Sequence, residues 1–96
     1  MYVELRIEDA HSLKDRRQVV RSLKEKLGHA FNISVAEMDE TSTWQSATLG
    51  IAAISGSRDY LHGLMRGVED AVVRIATGLG AEATVSWDFL DPAGEL

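Results

Sequence analysis

A chain of 96 residues with 15 acidic and 10 basic side chains, hence a net charge of -5, is one small domain whose overall field repels phosphate and so argues against general nucleic-acid binding. It has no cysteine, which excludes disulfides, thiol nucleophiles and zinc sites built on thiolates. Hydrophobic residues at 45% and charged residues at 26% are ordinary globular usage, no run approaches the roughly 20 apolar residues of a membrane span, and Glu4, Arg6, Glu8 and Asp9 interrupt any leader-like run, so the expectation is a folded cytoplasmic protein.

Val3, Leu5 and Ile7 alternate with Glu4, Arg6 and Glu8, which predicts a half-buried first strand. Ser12 then stands as an N-cap with Asp15 three positions on, a variant of the capping box. Leu13, Val20, Leu23 and Leu27 share one face at 100° per residue, so a first helix is predicted from Leu13 to His29. Phe31 to Glu40 and Trp44 to Ser55 read as a β-hairpin about a polar turn at Glu40-Thr41-Ser42-Thr43. Leu61, Leu64, Met65, Val68, Val72, Ile75 and Leu79 predict a second helix opening near Ser57. Ala83, Val85, Trp87 and Phe89 alternate with polar residues as a fourth strand. The segment 91–96 has turn composition and is expected as a flexible C-terminal tail to a single domain spanning 1–90.

The order βαββαβ belongs to an α+β protein of ferredoxin-like architecture: a four-stranded antiparallel sheet, first and third strands central, with two helices on one face. If the apolar residues of the first and fourth strands meet the helices, the open face carries Glu4, Arg6, Glu8, Glu82, Thr84, Ser86 and Asp88. That face is mainly acidic and has no aromatic platform for stacking bases. The hairpin is apolar on both sides, Leu49, Ile51 and Ala53 alternating with Gly50, Ala52 and Ile54, and Ile33 and Val35 with Ala36 and Met38. One set must point away from the helices, which makes a homodimer through the open sheet face an expectation.

The segments Glu4-Leu5-Arg6-Ile7, Ser12 to Leu23, Phe31 to Glu37 and Trp44 to Gly50 closely resemble the YlxP-like family of small bacterial proteins, most specifically in the serine-leucine-lysine opening of the first helix and the tryptophan-glutamine start of the third strand. The resemblance covers residues 3 to 55 well, and beyond Ser55 only the pattern agrees. It implies a ferredoxin-like fold and no established activity, with a genomic setting beside translation and ribosome-maturation genes. The chain departs from the family at Glu8-Asp9, where a proline-containing turn is more usual, and at the polar hairpin tip.

Charge is distributed unevenly. Seven of the ten basic residues lie in the first 26 positions, and Lys14, Arg17, Arg21 and Lys24 fall within about 80° on a helical wheel, a strip roughly 15 Å long. Four phosphate contacts along it would give a log–log salt slope of about -3 to -4. The competing reading is a solvated helix face that pairs with nearby acids. Arg16 differs because its angle lies inside the apolar stripe, so its guanidinium must snorkel out or meet a carboxylate, with Glu37 and Asp39 suited by type. His11, His29 and His62 share no metal-like spacing and read as structural or exposed. Glu37, Asp39 and Glu40 read as solvated edge charges. Trp44 could stack a base or anchor a partner, or equally plug the core. Ser55-Gly56-Ser57 lacks the lysine of a phosphate loop, and Gly78-Leu79-Gly80 precedes a strand.

The expectation is therefore a non-enzymatic protein with no cofactor or metal, contacting ribosomal RNA or a ribosomal subunit through Lys14, Arg17, Arg21 and Lys24, with Arg6 and Arg16 in support. The alternative is a homodimeric interaction module whose basic ridge meets an acidic protein.

Overall fold

The computed structural model describes residues 1–38 and 45–90. The hairpin tip, Asp39, Glu40, Trp44 and the tail 91–96 lie outside them, and the expectations placed on those residues go no further. The elements are β1 (Tyr2–Arg6), α1 (Leu13–Ala30), β2 (Ser34–Glu37), β3 (Ser46–Ala52), α2 (Arg58–Gly78) and β4 (Glu82–Ser86). All pairings are antiparallel in the order β2-β3-β1-β4, so β1 and β3 are central and β2 and β4 are the edges. This is the ferredoxin-like α+β fold, with α1 over β2 and β3 and α2 over β4.

Alternation sets the core. In β1, Val3 and Leu5 are buried while Tyr2, Glu4 and Arg6 are exposed, and the register places Val3 between Leu49 and Val85 and Leu5 between Ala47 and Ala83. Leu23 and Leu27 of α1 and Val68, Val72 and Ala76 of α2 close over that face. Leu23, Leu27, Leu49, Val3, Val68 and Val72 are fully buried.

Both helices start as the sequence predicts. The Ser12 hydroxyl accepts from the Asp15 amide at 3.1 Å and the Ser57 hydroxyl from the Tyr60 amide at 3.1 Å. The capping box closes one residue early, since the Asp15 carboxylate accepts from the His11 amide at 3.0 Å and not from that of Ser12. At the end of α2, Gly80 adopts φ +77°, its amide donates to the Thr77 carbonyl at 3.1 Å and that of Ala81 to Ala76 at 2.8 Å. These two bonds form a Schellman motif, which demands the left-handed residue that glycine supplies without strain.

Three strand limits differ from the sequence reading, the first being β3, which ends at Ala52 and not at Ser55. Phe31 belongs to α1 as its C-cap, its amide donating to the Leu27 carbonyl at 3.0 Å, so β2 begins only at Ser34. β4 ends its pairing at Ser86 opposite Tyr2. Beyond it Trp87 and Phe89 keep to the helix side and pack on α2, where the Trp87 indole donates to Glu69 Oε1 at 2.6 Å and His62 lies against both rings. Arg58 sits over the Phe89 ring at 4.6 Å.

Candidate functional site

The cations of α1 separate into two environments. Arg16 is buried, with 5% of its surface exposed, and points between helix and sheet. Its Nε donates to the Ser46 carbonyl at 2.8 Å and its Nη1 meets Glu37 Oε1 at 2.6 Å. The expected pairing with a carboxylate is met by Glu37, because register puts Glu37 on the helix side of β2 and Ala36 and Met38 on the other. Arg16 is therefore a strut joining α1 to β2 and β3, and it does not support the outer ridge.

Arg6 also falls outside that ridge. It lies beside Glu4 on the open face of β1, on the far side of the sheet from α1, and faces Glu8 at 3.6 Å with both side chains well exposed. Such a pair contributes little in water. What remains on α1 is Lys14, Arg17 and Arg21, all exposed, and the half-buried Lys24. None of these four makes an ion pair among the described residues.

The ridge is placed where helix energetics disfavour it. Lys14 stands in the first turn, at the positive end of the helix dipole. Arg17 and Arg21 are an i,i+4 pair, and Lys14–Arg17 and Arg21–Lys24 are i,i+3 pairs, each costing about 0.2–0.5 kcal/mol when charges are alike. The i,i+4 pair of Arg21 with Glu25 offsets part of that cost and is what the pairing-with-acids reading keeps.

Arg17, Val20, Arg21 and Lys24 line a groove of ≈ 320 Å³ together with Glu25 and Glu37, so the cations border the β2 edge of the sheet. The Met38 amide donates to the Thr48 carbonyl at 2.8 Å, which makes Met38, Ala36 and Ser34 the hydrogen-bonded positions of the β2–β3 ladder. The backbone groups of the alternate residues, Val35 and Glu37, are directed outward along the open edge.

The open face has two halves. Glu4, Arg6, Glu82, Thr84, Ser46 and Thr48 form a polar half. The other, lined by Tyr2, Ala36, Met38, Gly50, Ala52 and Leu90, is a shallow apolar hollow of ≈ 360 Å³. Tyr2, Met38 and Leu90 there are 56%, 53% and 94% exposed, and Ile54, continuing the alternation past β3, is 94% exposed. Gly50 gives the Met38 side chain room to lie across β3, since a Cβ on it would come within 2.7 Å of Met38 Sδ. The Met1 terminal ammonium donates to the Ile51 carbonyl at 2.8 Å beside the hollow, and burial lowers its pKa.

Among the described residues no group of three or more His, Asp or Glu side chains could hold a metal ion, and no helix is long and apolar enough to cross a membrane. His11 and His29 are exposed, and His62 takes part in the ring cluster on α2. That cluster escaped the sequence reading because it joins α2 to Trp87 and Phe89 across 18 or more residues, beyond any helical or strand period.

Compared with known proteins, the chain is 42% identical over 52 residues to the uncharacterized protein YlxP of Bacillus subtilis (strain 168), a stretch covering 54% of this chain and 56% of that protein. The match thus spans just over half the length of that relative. The model of a family described as a protein of unknown function, DUF503, matches residues 1–81, and the chain belongs to that family.

Proposed function

We propose that this chain is a non-enzymatic cytoplasmic docking module that holds an acidic segment of a partner protein against the outer ridge of α1. The observation that carries the reading is the set of four ridge cations without an ion pair among the described residues, three of which line the groove beside an open strand edge. Charge of this kind, kept at a cost to helix stability, is what a surface built for an anionic partner requires. The acidic half of the open face works against any anion approaching from the other side of the sheet.

The same cations favour a second reading, contact with RNA phosphates, for which ribosomal RNA is the natural probe given the setting the family resemblance implies. The loss of Arg6 and Arg16 from the ridge counts against it, whereas Glu25 and Glu37 in the groove oppose either anion alike. Titrating the protein and its Arg21→Glu variant with an acidic peptide and with ribosomal RNA, between 50 and 200 mM salt, separates the readings. Peptide binding that the variant loses supports the docking module. RNA binding with a salt slope near -3 and no peptide binding replaces it. A homodimer through Tyr2, Met38, Ile54 and Leu90 is compatible with either, and light scattering over a dilution series tests it.

A further inference from the structure

We infer that β2 is an acceptor edge: an extended segment of alternating acidic and apolar residues adds to the sheet as an antiparallel fifth strand beside β2. The inference rests on the acidic-segment reading above and specifies how that segment is recognised.

Three observations converge on it. First, the hydrogen-bonded pairs of β2 with β3 include Ala36–Gly50 and Met38–Thr48, which directs the N–H and C=O of Val35 and Glu37 outward. An added strand can engage both residues, giving up to four backbone bonds. Second, the side chains on either side of this edge differ in kind. On the helix side it meets Arg17, Arg21 and Lys24, which outnumber the one carboxylate of Glu25 beside them, and the Glu37 carboxylate there is already held by Arg16. On the open side it meets Ala36 and Met38, continuous with the apolar hollow around Gly50 and Ala52. Third, side chains of an added strand alternate between those two surroundings, so residues opposite Val35 and Glu37 should be acidic and those between them apolar.

Charge decides against a second copy as the occupant. Two β2 edges paired about a two-fold axis would set one triad of Arg17, Arg21 and Lys24 against the other. The other edge, β4, carries its acid Glu82 on the open side and Ala83 and Val85 on the helix side, the reverse of the required pattern.

The test uses a capped hexapeptide of alternating glutamate and valine, followed by NMR on the whole chain. Its controls are the same residues in two blocks, the alternating peptide N-methylated on the glutamates, and that peptide N-methylated on the valines. In an antiparallel pair the residues opposite Val35 and Glu37 direct their own amides at β2, so methylated glutamates should abolish binding and methylated valines preserve it. The alternating peptide should bind at least tenfold more tightly than the block peptide, slow exchange of the Val35 and Glu37 amides at least tenfold, and fail on the folded Arg21→Glu variant. Equal binding of all four peptides without amide protection overturns strand addition and leaves acidic docking standing. Binding of ribosomal RNA with no response to any peptide overturns the acidic-segment reading itself.

Discussion

The two edges of the sheet are topological equivalents finished in opposite ways. Beside β4, Trp87 donates to Glu69, His62 lies on Trp87 and Phe89, and Arg58 covers Phe89, so α2 and the chain after the strand satisfy one another. Beside β2, α1 presents Arg17, Arg21 and Lys24 with no ion pair among the described residues. One position along α1 from Arg17, Arg16 is buried and bonded to two strands. Identical chemistry therefore performs structural work on one side of the helix and stays available on the other. What separates them is a rotation of 100° about the helix axis.

Substitutions can break or sharpen this contrast. The largest effect is expected at Arg16→Ala, which strips Glu37 and the Ser46 carbonyl of a shared donor. Because Glu37 keeps a third of its side chain exposed, the cost should fall below that of a fully buried pair, at about 2–3 kcal/mol by urea unfolding. A change under 1 kcal/mol would mean the strut is dispensable and the contrast false. Trp87→Phe keeps an aromatic ring but removes the bond to Glu69 and part of the indole's packing surface, so the β4 edge should lose at least about 1 kcal/mol. Ser12→Ala and Ser57→Ala should each cost about 1 kcal/mol, and unequal values would show which helix end depends more on its cap. Arg21→Glu should change stability least and in the opposite direction. It turns two like-charge pairs, with Arg17 and Lys24, attractive and one attractive pair, with Glu25, repulsive, a net gain of about 0.5 kcal/mol visible as a small rise in Tm, while anion binding falls at least tenfold. If that variant loses stability as well as binding, the ridge is part of the scaffold.

Most of the fold was legible because its signals are local. Alternation in β1 and β4, the two capping serines and the 3.6-residue stripes of both helices each fix an element without reference to the rest. The special position of Arg16 was legible too, since its angle on the wheel left the guanidinium to snorkel out or meet a carboxylate, but choosing between these and picking Glu37 required the β2 register. Alternation already places Arg6 on the open face, since a residue next to buried Leu5 cannot share its face, and that placement is incompatible with its supporting the ridge. The binding surface was half legible. A wheel shows that four cations align, but only the sheet order makes β2 an edge, and only the Met38–Thr48 bond tells which of its amides look outward.

The separation of charge across the molecule also bears on speed. The ridge lies on the helix side of a chain of net charge -5, and Glu4 and Glu82 lie on the open face opposite, so the protein carries a dipole through its thickness. Under the proposed docking, an anionic partner would be turned toward α1 before contact and repelled from the sheet, which would enrich productive collisions. Salt should therefore slow arrival far more than it hastens departure, and the ridge would act chiefly on the association rate.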